Sequence, residues 1–167
     1  VITPEYCRTM AAYNKWQNDG LREIVKNMAP QALEQDRGAF FGSIFATLNH
    51  LLWGDTLWMS RFDGGPAPDQ TIRDSTRFMP TGATWAAERF RMDGRITHWA
   101  EHLHAVDLTG TLRWYSGSLQ RDFEKPVSLC VTQLFNHQTH HRGQVHAMLT
   151  AAGEKPNDTD LPFMPEN

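Results

Sequence analysis

Cysteine is scarce in this 167-residue chain, which holds only Cys7 and Cys130. The two lie far apart and form no CxxC pair, so a disulfide framework is ruled out and a reducing, cytoplasmic setting is expected. Runs of one charge are missing too. Sixteen basic and nineteen acidic residues leave a net charge of −3. Phosphate binding needs concentrated positive charge, which argues against nucleic acid as the main partner. No apolar run approaches the roughly twenty residues of a membrane span, and Val1 to Tyr6 show no basic-then-apolar signal pattern. There is no internal repeat and no low-complexity tract. What remains is one domain of ordinary size, with six Trp and nine Phe to fill a compact core.

Histidine is the residue type that is concentrated. Three of the eight fall within five residues, at His137, His140 and His141, inside a segment patterned as a helix. His137 and His141 stand one turn apart along a helix and about 40° apart around it. Two imidazoles so placed can aim their nitrogens at one ion. From Cys130 the apolar positions step through Leu134, Val145, Met148 and Ala152, and positions 137 and 141 complete that series. The pair therefore sits on the face a helix would bury, where unpaired polar rings are costly. Either neighbouring groups satisfy both rings or the two hold a metal ion. An in-register pair on a buried face favours the ion. His140 lies to one side and is expected to be a bystander.

Four long amphipathic segments are predicted. The first runs from Thr3 to Asn27, capped by Thr3, with Pro4 in its first turn and Gln17 interrupting an apolar stripe. Tyr13 and Asn14 on it either line a cleft or belong to the core. The second spans Gly38 to Arg61, with Phe41, Ile44, Leu48, Leu51, Asp55, Trp58 and Phe62 as its buried stripe. His50 lies beside that stripe among mostly small neighbours, including Gly54, and is the candidate third ligand. Asp55 is either a structural partner of an arginine or a group adjoining the metal. A long irregular connection, Thr71 to Gly82, precedes the third helix, Ala83 to His104, whose stripe is Trp85, Met92, Ile96, Trp99 and Leu103.

That third helix carries His98-Trp99-Ala100-Glu101-His102, a match to the inverted zinc-protease pattern HxxEH. His98 and His102 fall about 200° and 240° around from Ile96, on the side of Arg91 and Arg95. The motif reads as a solvated face. Thr111–Tyr115 and Leu119–Phe123, flanking Ser116-Gly117-Ser118, signal a β-hairpin. The last helix follows from Val127 to Ala152, ended by Gly153 at C′. Gly143 inside it predicts close packing against another helix. The tail, Glu154 to Asn167, is expected to lie along the surface. These segments make an all-α four-helix bundle with a small β-hairpin inserted before the last helix, and sites in such bundles form in the core between facing helices.

At Ala12-Tyr13-Asn14-Lys15-Trp16, at Gly42 to Asp55 (GSIFATLNHLLWGD) and at Asn136-His137-Gln138-Thr139-His140-His141-Arg142-Gly143-Gln144, the chain resembles the DinB-like metal-binding proteins of the DinB/YfiT superfamily. The resemblance covers nearly the whole chain. It implies up-down-down-up helix order, a homodimer, and one divalent ion held by His50, His137 and His141. The same superfamily includes thiol-dependent isomerases and S-transferases. A dimer also agrees with Trp16, Phe40, Phe45, Trp53 and Met59, which lie off the predicted stripes and would form an apolar patch.

The functional expectation is therefore a metal-dependent thiol transferase acting on a small-molecule electrophile. Zinc or nickel is the expected ion, and a low-molecular-weight thiol the co-substrate. A hydrolase in which the ion activates water is the alternative, and a non-catalytic, dimeric metal-binding stress protein is the third reading.

Overall fold

The computed structural model describes residues 2–166. Thr3 caps the first helix as expected, accepting from the Tyr6 amide at 3.2 Å, and α1 runs Pro4–Asn27. A short α2, Pro30–Glu34, follows. The second long helix, α3 (Ile44–Asp63), starts six residues later than the expected Gly38. Gly38 and Gly42 hold φ of +68° and +79°, conformations a helix cannot continue through. Ser43 then provides the cap, accepting from the Ala46 amide at 3.1 Å. Phe41 is thus in the loop before α3 rather than on its stripe. Gly64 ends α3 with φ +70°.

Helix α4 covers Gly82–Glu101 and α5 covers Val127–Ala151. Leu103 lies past the end of α4, yet it is still buried. Strands β1 (Thr111–Ser116) and β2 (Arg121–Pro126) form an antiparallel pair immediately before α5. The turn is residues 117–120, one longer than the expected Ser-Gly-Ser. Trp114 opposes Phe123 in this register, and their rings stack at 5.4 Å, a cross-strand pairing that fixes the alignment.

Named contacts give the helix directions. Asn14 and Asn18 of α1 reach Asp93 of α4, while Arg22 reaches the Ala86 carbonyl. Rising numbers on one helix meet falling numbers on the other, so α1 and α4 are antiparallel. Along α3 and α4, Leu48 meets Trp85, Asp55 meets Arg89 and Asp63 meets Arg95, so these two are parallel. Phe41 and His50 meet His141, and Gly54 meets His137, which makes α3 and α5 antiparallel. The four long helices run up, down, down, up.

The core is one continuous apolar cluster, including Ile44, Leu48, Leu52, Met59, Trp85, Ile96, Leu134, Phe135 and Leu149. Through it runs a polar chain joining all four long helices. Arg89 of α4 donates to Asp55 of α3 at 2.7 Å and lies 2.8 Å from Asp93. Asp93 accepts from Asn14 and Asn18, each at 2.9 Å. Arg142 of α5 donates to the Asn14 side-chain carbonyl, and Gln138 donates to Asp55 at 3.1 Å. Two carboxylates and two guanidiniums balance within this chain, and burial pushes the Arg142 guanidinium down to about 10, still cationic at neutral pH.

The tail is strapped to α1. Tyr13 donates to the Thr159 carbonyl at 2.6 Å and Gln17 to that of Asp158 at 2.7 Å, which explains the polar interruption in the α1 stripe. Gly143 departs from expectation: it is exposed, and a Cβ there would meet nothing within 4 Å. Gly143→Ala should therefore raise stability by about 1 kcal/mol, read as a shift of the denaturation midpoint with unchanged slope.

Of the five off-stripe residues, Phe45, Trp53 and Met59 are buried within the single chain and Trp16 is partly buried. Phe40 alone stands out, 80% exposed. No helix of the described residues is long and apolar enough to cross a membrane.

Candidate metal centre

His50 reaches the site from the second turn of α3, and His137 and His141 reach it from the middle of α5. One nitrogen from each ring can be chosen so that all three lie within 4.8 Å of one another. Nε2 of His50 and Nε2 of His137 are 3.2 Å apart. Two ligands of a tetrahedral ion with metal–nitrogen bonds of about 2.0–2.1 Å stand about 3.3–3.4 Å apart, so these nitrogens already have nearly the required spacing.

The outer nitrogen of His141 selects its tautomer. Nδ1 of His141 is 2.7 Å from Gln144 Oε1. That carbonyl oxygen can only accept, so Nδ1 carries the proton and the Nε2 lone pair is free for an ion. Nδ1 of His50 is 2.9 Å from Ser75 Oγ, a hydroxyl that can accept from Nδ1–H and so is compatible with a free Nε2 on this ring. Such outer hydrogen bonds fix ring orientation and raise ligand basicity. Nδ1 of His137 is buried without a partner among the described residues; packing orients that ring instead, with its Cε1 edge close against Gly54.

The rings are neutral. Burial pushes His50 down to about 3, with His137 and His141 as like-charged neighbours adding to it. His137 falls to about 4, again mainly through burial, and His141 is lowered for the same reason. A cluster of three neutral imidazoles with converging lone pairs is the donor set of a catalytic zinc-type site with an open fourth position. The residues present fit a divalent ion.

Phe41 walls one flank, its ring 4.3 Å from that of His50 and 5.4 Å from that of His141. On the other side a cleft of about 790 Å³ opens onto His50 and His137, bounded by Trp53, the hairpin turn and residues 70–73 of the long connection. Trp53 donates to the Gln70 carbonyl at 2.9 Å, tying that connection to α3.

Gly54 is required by the close approach of His137. A Cβ there would stand 2.8 Å from the ring's Cε1, inside any normal contact. Gly54→Ala should displace the ring and weaken metal binding by about 10–100-fold while the bundle stays folded. Competition against a chromophoric chelator measures this.

The other sequence candidates fall elsewhere. Asp55 is fully buried and held by Arg89 and Gln138, so it is a structural partner of an arginine and does not line the cleft. Tyr13 and Asn14 are buried, bound to the tail and to Asp93, and Tyr13 also borders a separate cavity that none of the three histidines lines. His140 is exposed, its Nε2 3.4 Å from Gln144 Nε2. His98, Glu101 and His102 also bring ligand atoms together, but all three are exposed.

Sequence reasoning missed Ser75 and Gln144. Gln144 sits three residues after His141 on the same helix, a spacing that puts side chains in reach, so the signal was present. Ser75 lies in an irregular segment with no periodicity to place it. Arg89 was missed as well, although it falls between Trp85 and Met92 on the stripe that α4 buries.

Known proteins provide an independent comparison. The chain is 24% identical over 152 residues to Protein DinB of Bacillus subtilis (strain 168), covering 89% of this chain and 87% of that one. Among solved structures, a DinB-like protein from Bacillus cereus ATCC 10987 superposes with a TM-score of 0.61 at 17% identity, covering 86% of this chain and 90% of the other. YfiT from Bacillus subtilis superposes with a TM-score of 0.66 at 14% identity, over 93% and 92% of the two chains. YfiT is described as a probable metal-dependent hydrolase with an unusual four-helix bundle topology. Since the DinB family model runs along residues 3–167, all but the first two positions, this chain belongs to the DinB family.

Proposed function

We propose that this protein transfers a low-molecular-weight thiol to a small electrophile, using a divalent ion, zinc or nickel, held by His50, His137 and His141. The observation that carries this reading is what the cleft lacks. Its lining includes His50 and His137 but no carboxylate, lysine or cysteine. Asp55, the one acidic residue on the buried face of α3, is locked to Arg89. Among the described residues, the cleft lining therefore offers no carboxylate to serve as the general base that activates water.

A thiol needs no such base, because a divalent ion held by this neutral ligand set would supply the Lewis acidity that lowers a thiol's pKa. The chain's own residues do the rest. His50, His137 and His141 would hold the ion through one ring nitrogen each, with Ser75 and Gln144 keeping the ring angles of His50 and His141. Phe41 and Trp53 flank the His50 ring with apolar surface, which limits water there. Arg89 and Asp55 bind α4 to α3, and Gln138 binds α5 to Asp55, so the helices that carry the ligands keep their spacing. The sulfur–carbon bond forms as the electrophile's leaving group departs, and the thiol proton goes to solvent.

The hydrolase reading is supported by the description of YfiT and is the alternative. The third reading, metal binding without catalysis, predicts that a side chain plugs the open position, whereas the cleft here reaches the histidines. Homodimerisation remains part of the proposal, with Phe40 as the exposed aromatic at hand.

Elemental analysis of the purified protein, followed by a screen of several small thiols against a chromogenic aryl halide, tests the reading. Thiol-dependent release of halide that needs metal and His137 supports transfer. Metal-dependent cleavage of an activated ester at the same rate with and without thiol would establish hydrolysis instead.

A further inference from the structure

We infer that the cleft recognises an anionic, carboxylate-bearing small molecule, and that Arg61 is the residue that binds its charge. The inference rests on the reading of this cleft as the substrate site.

Arg61 is half-buried in the last turn of α3 and makes no hydrogen bond or ion pair among the described residues. The two arginines of the buried polar chain, Arg89 and Arg142, by contrast each donate to a side-chain oxygen. The Arg61 guanidinium instead lies between two aromatic rings, 4.6 Å from the centre of Trp58 and 5.0 Å from that of Trp114. Stacking of this kind fixes the plane of a guanidinium and leaves its edge, where the N–H donors are, for a planar anion. Burial lowers the Arg61 pKa, the direction expected of a cation held without a counter-charge.

On the cleft side the charged lining has one sign, whereas behind it Arg61 also borders a cavity that includes Asp63, which is tied to Arg95, and Asp107. Arg73, on the short turn between α3 and α4, is the second cation of the lining, and no acidic residue joins them. Arg73 has no ion pair among the described residues, unlike Arg77, which is tied to Asp74. With a divalent ion at the histidines, the cleft would hold three cationic groups and no anion. A cleft walled by one sign attracts and orients ligands of the other.

Position sets the ligand's length. Arg61 follows His50 by eleven residues, three helical turns, and lies about 20° from it around the axis, so both project toward the same cleft. The separation along the axis is about 16 Å. Both side chains lean toward the N-terminus, but the longer arginine, its guanidinium over the Trp58 ring three residues back, reaches further and shortens that gap. The fitting molecule is extended, with its reacting atom at one end and a carboxylate at the other. The hairpin places Trp114 beside Arg61 and its turn along the cleft, which gives the inserted β1–β2 unit a role in the site.

Suberate, an eight-carbon dicarboxylate, and its uncharged diamide are suitable probes. Binding of each to the metal-loaded protein is followed by calorimetry and by tryptophan fluorescence, since Trp58 and Trp114 flank the guanidinium. Suberate should bind at least tenfold more tightly than the diamide. Arg61→Gln should remove most of that preference with metal content unchanged, Arg61→Lys should restore part of it, and Arg73→Gln should reduce it less. Loss of aromatic packing alone would weaken both probes equally and leave their ratio intact. The inference is overturned if suberate and the diamide bind alike, or if Arg61→Gln keeps the wild-type preference. No turnover is measured, so a protein that bound suberate through Arg61 yet transferred no thiol would count against the proposed reaction and not against the anion site.

Discussion

Replacing His137 or His141 by alanine should abolish stoichiometric metal binding and leave the bundle folded. Each of these rings supplies one of three neutral nitrogens, and the two share a single helix one turn apart. Losing either leaves one nitrogen on α5 facing one on α3, too few to enclose a tetrahedral ion against water. His50→Ala should weaken binding strongly for the converse reason, because two ligands on one helix cannot close around an ion from both sides. Alanine is the best helix former, and the residues lost are uncharged in the fold, so far-ultraviolet circular dichroism should change little. Elemental analysis of the purified variants gives the answer. His140→Ala, His98→Ala and His102→Ala should all keep the metal. Loss in His140→Ala with retention in His141→Ala would transfer the ligand role to His140. Loss in His98→Ala or His102→Ala would move the site to the exposed face of α4.

Arg89→Met is expected to give the largest loss of stability. Arg89 is 2% exposed and lies against two carboxylates, Asp55 and Asp93, that are 0% and 1% exposed. Methionine fills much of the same space and removes the cation. Two buried carboxylates would then face only neutral donors and the more distant Arg142. Breaking a buried pair from one side costs about 3–5 kcal/mol, a large part of the roughly 5–15 kcal/mol that holds a domain folded. For a chain of this size that is a fall of roughly 6–20 °C in Tm. The pH dependence identifies the cause. A buried carboxylate without its cation has a raised pKa, so the folded variant takes up protons before the unfolded chain does. Its deficit relative to wild type should therefore shrink as pH falls toward that raised value. A deficit constant with pH would mean that lost packing, not stranded charge, is responsible.

The two variants separate what the helices carry from what holds them. His50 and Asp55 lie five residues apart on α3 and serve different neighbours, one facing the α5 histidines and the other Arg89. The sequence showed both as polar residues on or beside an apolar stripe. It could not assign their roles, because the position of each helix around its neighbours is a property of packing. Arg89 decides for Asp55, and Arg89 lies 34 residues away in the chain.

Much of the site was legible because it is written in helical periodicity. The interval of four between His137 and His141, in register with Leu134, Val145 and Met148, put two rings on a buried face before any fold was known. Thr3, Gly153 and the HxxEH face were read correctly on the same local grounds, since caps and faces depend on a few adjacent residues. Local signals failed where the chain does not repeat. The start of α3 slipped because Phe41 continues the apolar spacing, while the positive φ of Gly42 ends any helix there. The packing expected at Gly143 failed because a glycine's neighbours are not encoded in its own helix.

By itself the sequence determined four amphipathic helices, a hairpin before the last, and three histidines able to share an ion, since period and spacing are short-range properties of a chain. Only the tertiary structure decided what surrounds that ion. Because α3 and α4 run parallel, the chain must travel back along the bundle between them. That return path, read from sequence as an irregular connection, brings Ser75 to the back of His50 and Arg73 to the cleft. Ser75 is 25 residues from the ring it holds, and no local pattern connects them. Their contact exists because helices that cannot be joined by a tight turn need a long crossover, and that crossover must pack on the helix it passes.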